Sequence, residues 1–229
     1  MRRLTIAALV PGLLALGACC GGQGAIIDWV NFVQWNGITY LAATGPTSTG
    51  ASEPALEAQI ATTKRKLAGN ETDPSHKLQE GDAAFLEAGT PIYSVTGYRS
   101  AFRIGVKSAG GIVIYEADTN PKARIGADLV DLADKVDYMT IGDSSVRELA
   151  AIRDPAVVAH LVGLILQAPV DQSAQPPPVG PQYFLTIHFH DGTQTARAFW
   201  PSTGQLQRGI VAGPEFAQAI LGALPAPAA

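Results

Sequence analysis

The chain has 229 residues, 47% of them hydrophobic, which is enough apolar surface for one sizeable domain or two small lobes. Only 16% are charged, and 24 Gly and 16 Pro accompany them, a low-charge, turn-rich balance that favours sheet over helical bundle. The net charge of −4 makes nucleic acid a poor partner.

Arg2 and Arg3 precede an apolar stretch from Leu4 to Leu16, the arrangement of a secretory leader and too short to span a bilayer permanently. Leu16-Gly17-Ala18-Cys19 follows. This run resembles the lipobox of bacterial lipoproteins: an aliphatic residue at −3, two small residues, then a cysteine. The resemblance implies a signal peptide over 1–18, a diacylglycerol thioether on Cys19, cleavage between Ala18 and Cys19, and a membrane partner reached through that lipid. Cys20 is the poorer acceptor, since Gly17 would then stand at −3. Loss of Arg2 and Arg3 with the leader would leave 14 basic against 20 acidic residues, a balance of −6.

No cysteine follows Cys20, so the folded part carries no internal disulfide and no cysteine nucleophile. Residues 19–25 are mostly small and read as a short linker of at most about 25 Å, which would keep the domain close to the bilayer. By the sorting pattern of Gram-negative lipoproteins, the lack of Asp after the cysteine favours the outer membrane.

The expected fold class is α+β. A mainly antiparallel β part over 26–150 forms a small barrel-like sheet, and a helix, a three-stranded antiparallel sheet and a helix follow over 151–229. The two parts are compatible with one compact domain. Asn36-Gly37 marks a turn before a strand at Ile38–Ala42. Glu53 to Leu67 suits a helix capped by Ser52 or a strand alternating through Ile60, Thr62 and Lys64, and the alternation favours the strand. Short apolar runs at Ala83–Leu86, Ile92–Thr96, Ala101–Val106 and Ile112–Ala117 recur about every ten residues between glycine punctuation, the pattern of a curling antiparallel sheet. A loop or short helix over Asp118–Asp134 and a strand at Val136–Ile141 complete the first part.

Asp154-Pro155 opens a helix apolar on more than one face, and Ala168-Pro169 ends it. Val170 to Pro181, with Pro176-Pro177-Pro178, reads as an extended linker. Tyr183–His190 and Thr193–Trp200 flank Asp191-Gly192, a two-residue hairpin signal. That turn would pair His188 with Thr195 and Thr186 with Arg197. One face would then carry Leu185, Ile187, Phe189, Ala196, Ala198 and Trp200, and the wet face His188, His190, Thr193, Thr195 and Arg197. A third strand at Leu206–Val211 and a helix after Gly213-Pro214 close the chain.

His188 and His190 at i, i+2 beside Asp191 are the candidate metal ligands, although zinc wants four positions filled and no further ligand is identifiable; solvated hairpin residues are the plainer reading. Asp128, Asp131, Asp134 and Asp137 lack the alternation, central Gly and terminal Glu of a calcium loop and read as an acidic face. Gly142-Asp143-Ser144 resembles the nucleophile block of GDSL-type hydrolases, but it lies mid-chain and no Asp-x-x-His follows it; no Gly-x-Ser-x-Gly occurs either. Lys64-Arg65-Lys66 is the one basic run, three charges against the four to eight of a lipid-binding cluster. With no catalytic set assembled, the expectation is a non-enzymatic envelope lipoprotein without a cofactor. It would bind an envelope protein or small ligand, with metal or small-molecule binding at the His188/His190 hairpin as the alternative.

Overall fold

A computed structural model describes residues 28–43, 54–145, 147–173 and 180–225. The expected leader, Cys19, the expected 19–25 linker, and the triple proline of the expected 170–181 linker lie outside the described residues. Among the described residues no helix is long and apolar enough to cross a membrane.

The architecture is mostly β with two helices, an α+β arrangement of two sheets. The first sheet contains β1 (Phe32–Trp35), β2 (Ile38–Ala42), β3 (Leu56–Thr62), β4 (Arg65–Lys66), β5 (Asp82–Ala83), β6 (Pro91–Val95), β7 (Arg103–Ser108) and β8 (Gly111–Thr119), in the order β3, β6, β7, β8, β2, β1, β5, β4. Its first and last strands are consecutive stretches of one segment, so the sheet curls into a half-barrel whose two ends meet in that segment. The alternation over 53–67 therefore does encode strand. Of the apolar run Ala83–Leu86 only Ala83 lies in a strand, and Phe85 is exposed.

The second sheet contains β9 (Val136–Gly142), β10 (Glu148–Ile152), β11 (Tyr183–Phe189), β12 (Gln194–Trp200), β13 (Gln205–Leu206) and β14 (Ile210–Val211), in the order β10, β9, β11, β12, β13, β14. It is six-stranded rather than three-stranded, because β9 and β10 join the C-terminal hairpin: Leu185 pairs with Ile141 and Ile187 with Met139. The divide between the sheets thus precedes Val136, ahead of the composition change near residue 150. β10 escapes sequence reading because Glu148–Ile152 is a short run with two adjacent alanines and no period-2 alternation of large apolar residues.

Helix α1 (Pro155–Gln167) begins as its sequence dictates: Asp154 Oδ1 accepts the N–H groups of Ala156 at 2.8 Å and Val157 at 3.3 Å, and Pro155 takes the first turn, where no N–H is needed. Its Val158, Leu161, Val162 and Ile165 share one core with Met139, Ile141, Leu185, Ile187 and Phe189. A short 3₁₀ turn, Gly126–Asp128, approaches α1 so closely that a Cβ on Gly126 would sit 1.9 Å from the Ile165 carbonyl oxygen. Helix α2 (Gly213–Gly222) buries Phe216, Ala217 and Ile220, with Phe216 edge-on to Phe199 at 5.4 Å. The half-barrel has its own core of Val33, Ile38, Tyr40, Ile92, Ile104, Val106 and Tyr115.

The hairpin register differs by one residue from the expected pairing. Phe189 N–H donates to the Thr193 carbonyl at 2.9 Å, and Gly192, at φ 80°, closes a three-residue loop of His190, Asp191 and Gly192. Leu185 therefore faces Arg197, and Ile187 faces Thr195. Asp191 drives the longer loop, its Oδ1 accepting both the N–H of Thr193 at 2.9 Å and its hydroxyl at 2.7 Å. Because strand side chains alternate, a slip of one residue reverses β12: Thr193, Thr195 and Arg197 turn inward and Ala196 outward. The face expected for β11 is the observed one, with Leu185, Ile187 and Phe189 buried.

Candidate functional site

The reversed strand supplies half of a buried polar cluster, and the half-barrel supplies the other half. Arg103 on β7 and Glu116 on β8 face each other across their ladder and point at β12. Arg103 Nε and Nη2 both donate to Glu116 Oε1, at 3.0 and 2.7 Å, while Nη1 donates to the Thr193 hydroxyl at 2.8 Å. Nη2 also reaches the Gln194 carbonyl at 3.2 Å. The guanidinium lies over the rings of Tyr98, Phe102 and Phe189, 4.4 to 4.9 Å from their centroids, a desolvated cation–π cage. Tyr98 in turn donates its hydroxyl to Asp191 Oδ2 at 2.8 Å, and burial raises its pKa above the ordinary tyrosine value.

The second oxygen of Glu116 serves β12. Oε2 accepts the Thr195 hydroxyl at 2.6 Å and Arg197 Nη1 at 3.1 Å, and Arg208 Nη1 stands 4.0 Å away. Glu116 is 3% exposed, and burial pushes its pKa up; Arg197, Arg103 and Arg208, with the Thr195 hydrogen bond, outweigh that and bring it down to about 2. Glu116 is therefore a fixed anion at neutral pH.

Arg197 is held at one edge only. Its Nη1 reaches Glu116, the Thr195 hydroxyl and the Ala196 carbonyl, whereas Nε and Nη2 are buried and have no hydrogen-bond partner. Its side chain is 4% exposed. Arg208 follows in an unusual backbone setting: its φ is 75°, a left-handed conformation costly for a side-chain-bearing residue. The next residue, Gly209, pins the turn by accepting Asp171 N–H at 2.8 Å. Arg208 Nη1 donates to the Ala117 carbonyl, and its Nε pairs with Asp118 at 3.0 Å without the alignment of a hydrogen bond. Burial, then repulsion from Arg197, lowers Arg208 to about 10 despite Glu116 and Asp118.

These groups line a recess of about 170 Å³ between the sheets, formed by Leu41, Ala42, Glu116, Thr195, Arg197 and Arg208 among others. A second recess of about 230 Å³ adjoins it, lined by Asp118, Trp200 and Gln205 and sharing Gln207 and Arg208 with the first. Polar groups able to grip a ligand thus converge where the sheets meet, and what they offer is binding by guanidinium groups.

Of the residues singled out in the sequence, His188 and His190 stand apart from this cluster, and Asp191 meets only its edge, through Tyr98 and Thr193. His188 stacks on Tyr138 at 4.1 Å, its Nε2 lies 3.2 Å from the Thr140 hydroxyl, and burial lowers its pKa. His190 sits in the loop with Nδ1 3.8 Å from Asp137, both more than half exposed. Asp191 is engaged by Thr193 and Tyr98, which with Arg103 lower its pKa against the opposing effect of burial. Among the described residues no group of three or more His, Cys, Asp or Glu side chains is placed to hold a metal ion.

Nor do the four spaced aspartates share a task. Asp128 accepts the N–H groups of Arg124 and Ile125, Asp131 pairs with Lys135 at 3.1 Å, and Asp137 stands beside His190. Asp143 accepts the N–H groups of Ser145 and Arg147 in the turn after β9. Arg65 and Lys66 of the basic run pair with Asp82 and Glu87. His190 and Asp137 do border a groove of about 460 Å³, whose apolar wall is Val158, Ala159, Val162 and Leu166 of α1.

The residues that form the inter-sheet cluster were legible only in part: Arg103 precedes one apolar run and Glu116 ends another, positions where an interior tolerates charges only when they pair. No protein family matches the chain, and no curated protein or solved structure matches it.

Proposed function

We propose that the protein is a non-catalytic binding or accessory module, held at the extracytoplasmic face of a bacterial membrane by lipid on Cys19, with the recess between its two sheets as the binding site. The observation that carries the binding part is Arg197: an interior guanidinium with one edge fully engaged and the other without a partner, at the wall of a cavity. An unpaired buried donor is destabilising by about 1–3 kcal/mol, so its presence favours a role in recognition over one in stability. The anchor rests on Leu16-Gly17-Ala18-Cys19 and on the ten residues from Cys19 to Asp28, whose nine steps span at most about 32 Å.

A second reading keeps the hairpin. A small organic molecule would lie in the groove along α1 with His190 and Asp137 at its rim, the apolar wall giving affinity and the two polar groups orientation.

The anchor is tested by Cys19→Ser. The variant is expected to accumulate as the full-length precursor without acyl groups, read by intact-protein mass. Efficient cleavage before residue 19 in that variant would make the leader an ordinary secretory one.

A further inference from the structure

We infer that the recess between the sheets binds a small monocarboxylate, clamped side-on by the Nε/Nη2 edge of Arg197. The inference deepens the binding-module reading and rests on it.

The choice of ligand follows from the geometry of one guanidinium. Nε–H and the adjacent Nη2 donor lie on the same edge, parallel and spaced to meet the two oxygens of a carboxylate, the strongest and most directional pairing open to arginine. In Arg197 the three contacts to protein all use Nη1, so the edge left without a partner is the one that suits a bidentate acceptor. Arg103 provides the internal control: its corresponding edge is filled by Glu116 Oε1, a carboxylate of the protein itself. What Glu116 is to Arg103, the ligand is to Arg197.

Charge and size narrow the class. The charged side chains lining the recess are Arg197, Arg208 and Glu116, two cations and one anion, which leaves room for a single negative charge. A dianion would stand against Glu116, which is already ionised. A volume of about 170 Å³ equals roughly five or six waters, enough for a short-chain acid. Leu41 and Ala42 on the half-barrel side provide an apolar contact for its alkyl part. Gln207 and Arg208 line both this recess and the adjoining one, so the two recesses share that wall. The crowding of Arg208 by Arg197, which lowers its pKa, is relieved by an anion between them.

The test uses the mature protein as the cell produces it, solubilised in detergent and titrated with sodium acetate at constant ionic strength against sodium chloride and inorganic phosphate. Acetate is expected to raise the melting temperature saturably, with a midpoint in the roughly millimolar range that suits a ligand of four heavy atoms. Arg197→Lys keeps the charge and loses the fork, and should weaken acetate at least about tenfold. Should that variant not fold, the wild type still decides: the Arg197 Nε–H resonance should shift with the same acetate midpoint as the melting temperature. Saturation by phosphate and not by acetate would overturn the carboxylate and leave the recess a binding site. No saturable response beyond that of chloride to either anion would overturn the ligand and the recess together, while Cys19→Ser reads the anchor separately. Undiminished acetate binding by Arg197→Lys would overturn the assignment to this arginine.

Discussion

Two arginines meet the same buried carboxylate from opposite sides, and they are treated differently. Around Arg103 the polar account is closed: both oxygen-seeking edges are filled, three aromatic rings cover the guanidinium, and Thr193 ties it to the hairpin. Around Arg197, some residues further along β12, the protein fills one edge, leaves the other without a partner and places a recess beside it. A buried ion pair by itself says little about function, since desolvation cancels much of its attraction. The contrast within one cluster says more, because both halves share Glu116 and a similar depth. Arg103 ties the half-barrel to the hairpin, and Arg197 carries the two donors that the protein leaves without a partner.

The largest effect should come from the shared group. Glu116→Gln leaves three guanidinium groups around a neutral amide, and breaking a buried pair in this way costs about 3–5 kcal/mol. Urea unfolding of the variant should show that loss. A cost below about 1 kcal/mol would mean that water reaches the cluster freely and that the difference between its halves is superficial.

Acid titration gives the next largest effect. The folded pKa of Glu116 is about 2 against an ordinary value of 4.5, so its contribution is complete above about pH 4.5 and is lost as pH falls toward 2. The difference is on the order of 3 kcal/mol for a group this buried. Wild type should therefore lose stability more steeply than Glu116→Gln through that window. Parallel acid limbs would assign the loss to other carboxylates with lowered pKa, such as Asp131 and Asp82.

Much of this fold is written locally, and the site is not. Asp154-Pro155 starts α1 in the sequence and in the structure because a cap and a first-turn proline act within four residues. The alternation of β3 and the strands β6 to β8 were legible for the same reason: side-chain period is a local property. The hairpin shows the limit. Asp191-Gly192 correctly marked the turn, yet Asp191 binding Thr193 lengthened the loop by one residue and reversed the face of β12. With the wrong register, Thr195 and Arg197 appear as wet-face residues and the histidines appear as the only chemistry. A period-2 element converts a one-residue error into a complete exchange of inside and outside, so the cluster could not be found until the register was known. The pairing of Glu116 with Arg197 joins residues 81 apart in the chain, and no spacing rule connects them.

The measurement that bears most directly on the contrast between the two arginines replaces each in turn by methionine, which keeps much of the apolar stem, in buffer free of carboxylates. Arg103→Met should cost about 3–5 kcal/mol in urea unfolding, since it empties a saturated cage and removes both hydrogen bonds to Glu116 Oε1. Arg197→Met should lie within about 1 kcal/mol of wild type, because removal of two unpaired donors offsets the lost contact to Glu116. Equal and large losses for the two variants would contradict the account, making Arg197 a structural residue like Arg103 and the recess beside it a packing defect.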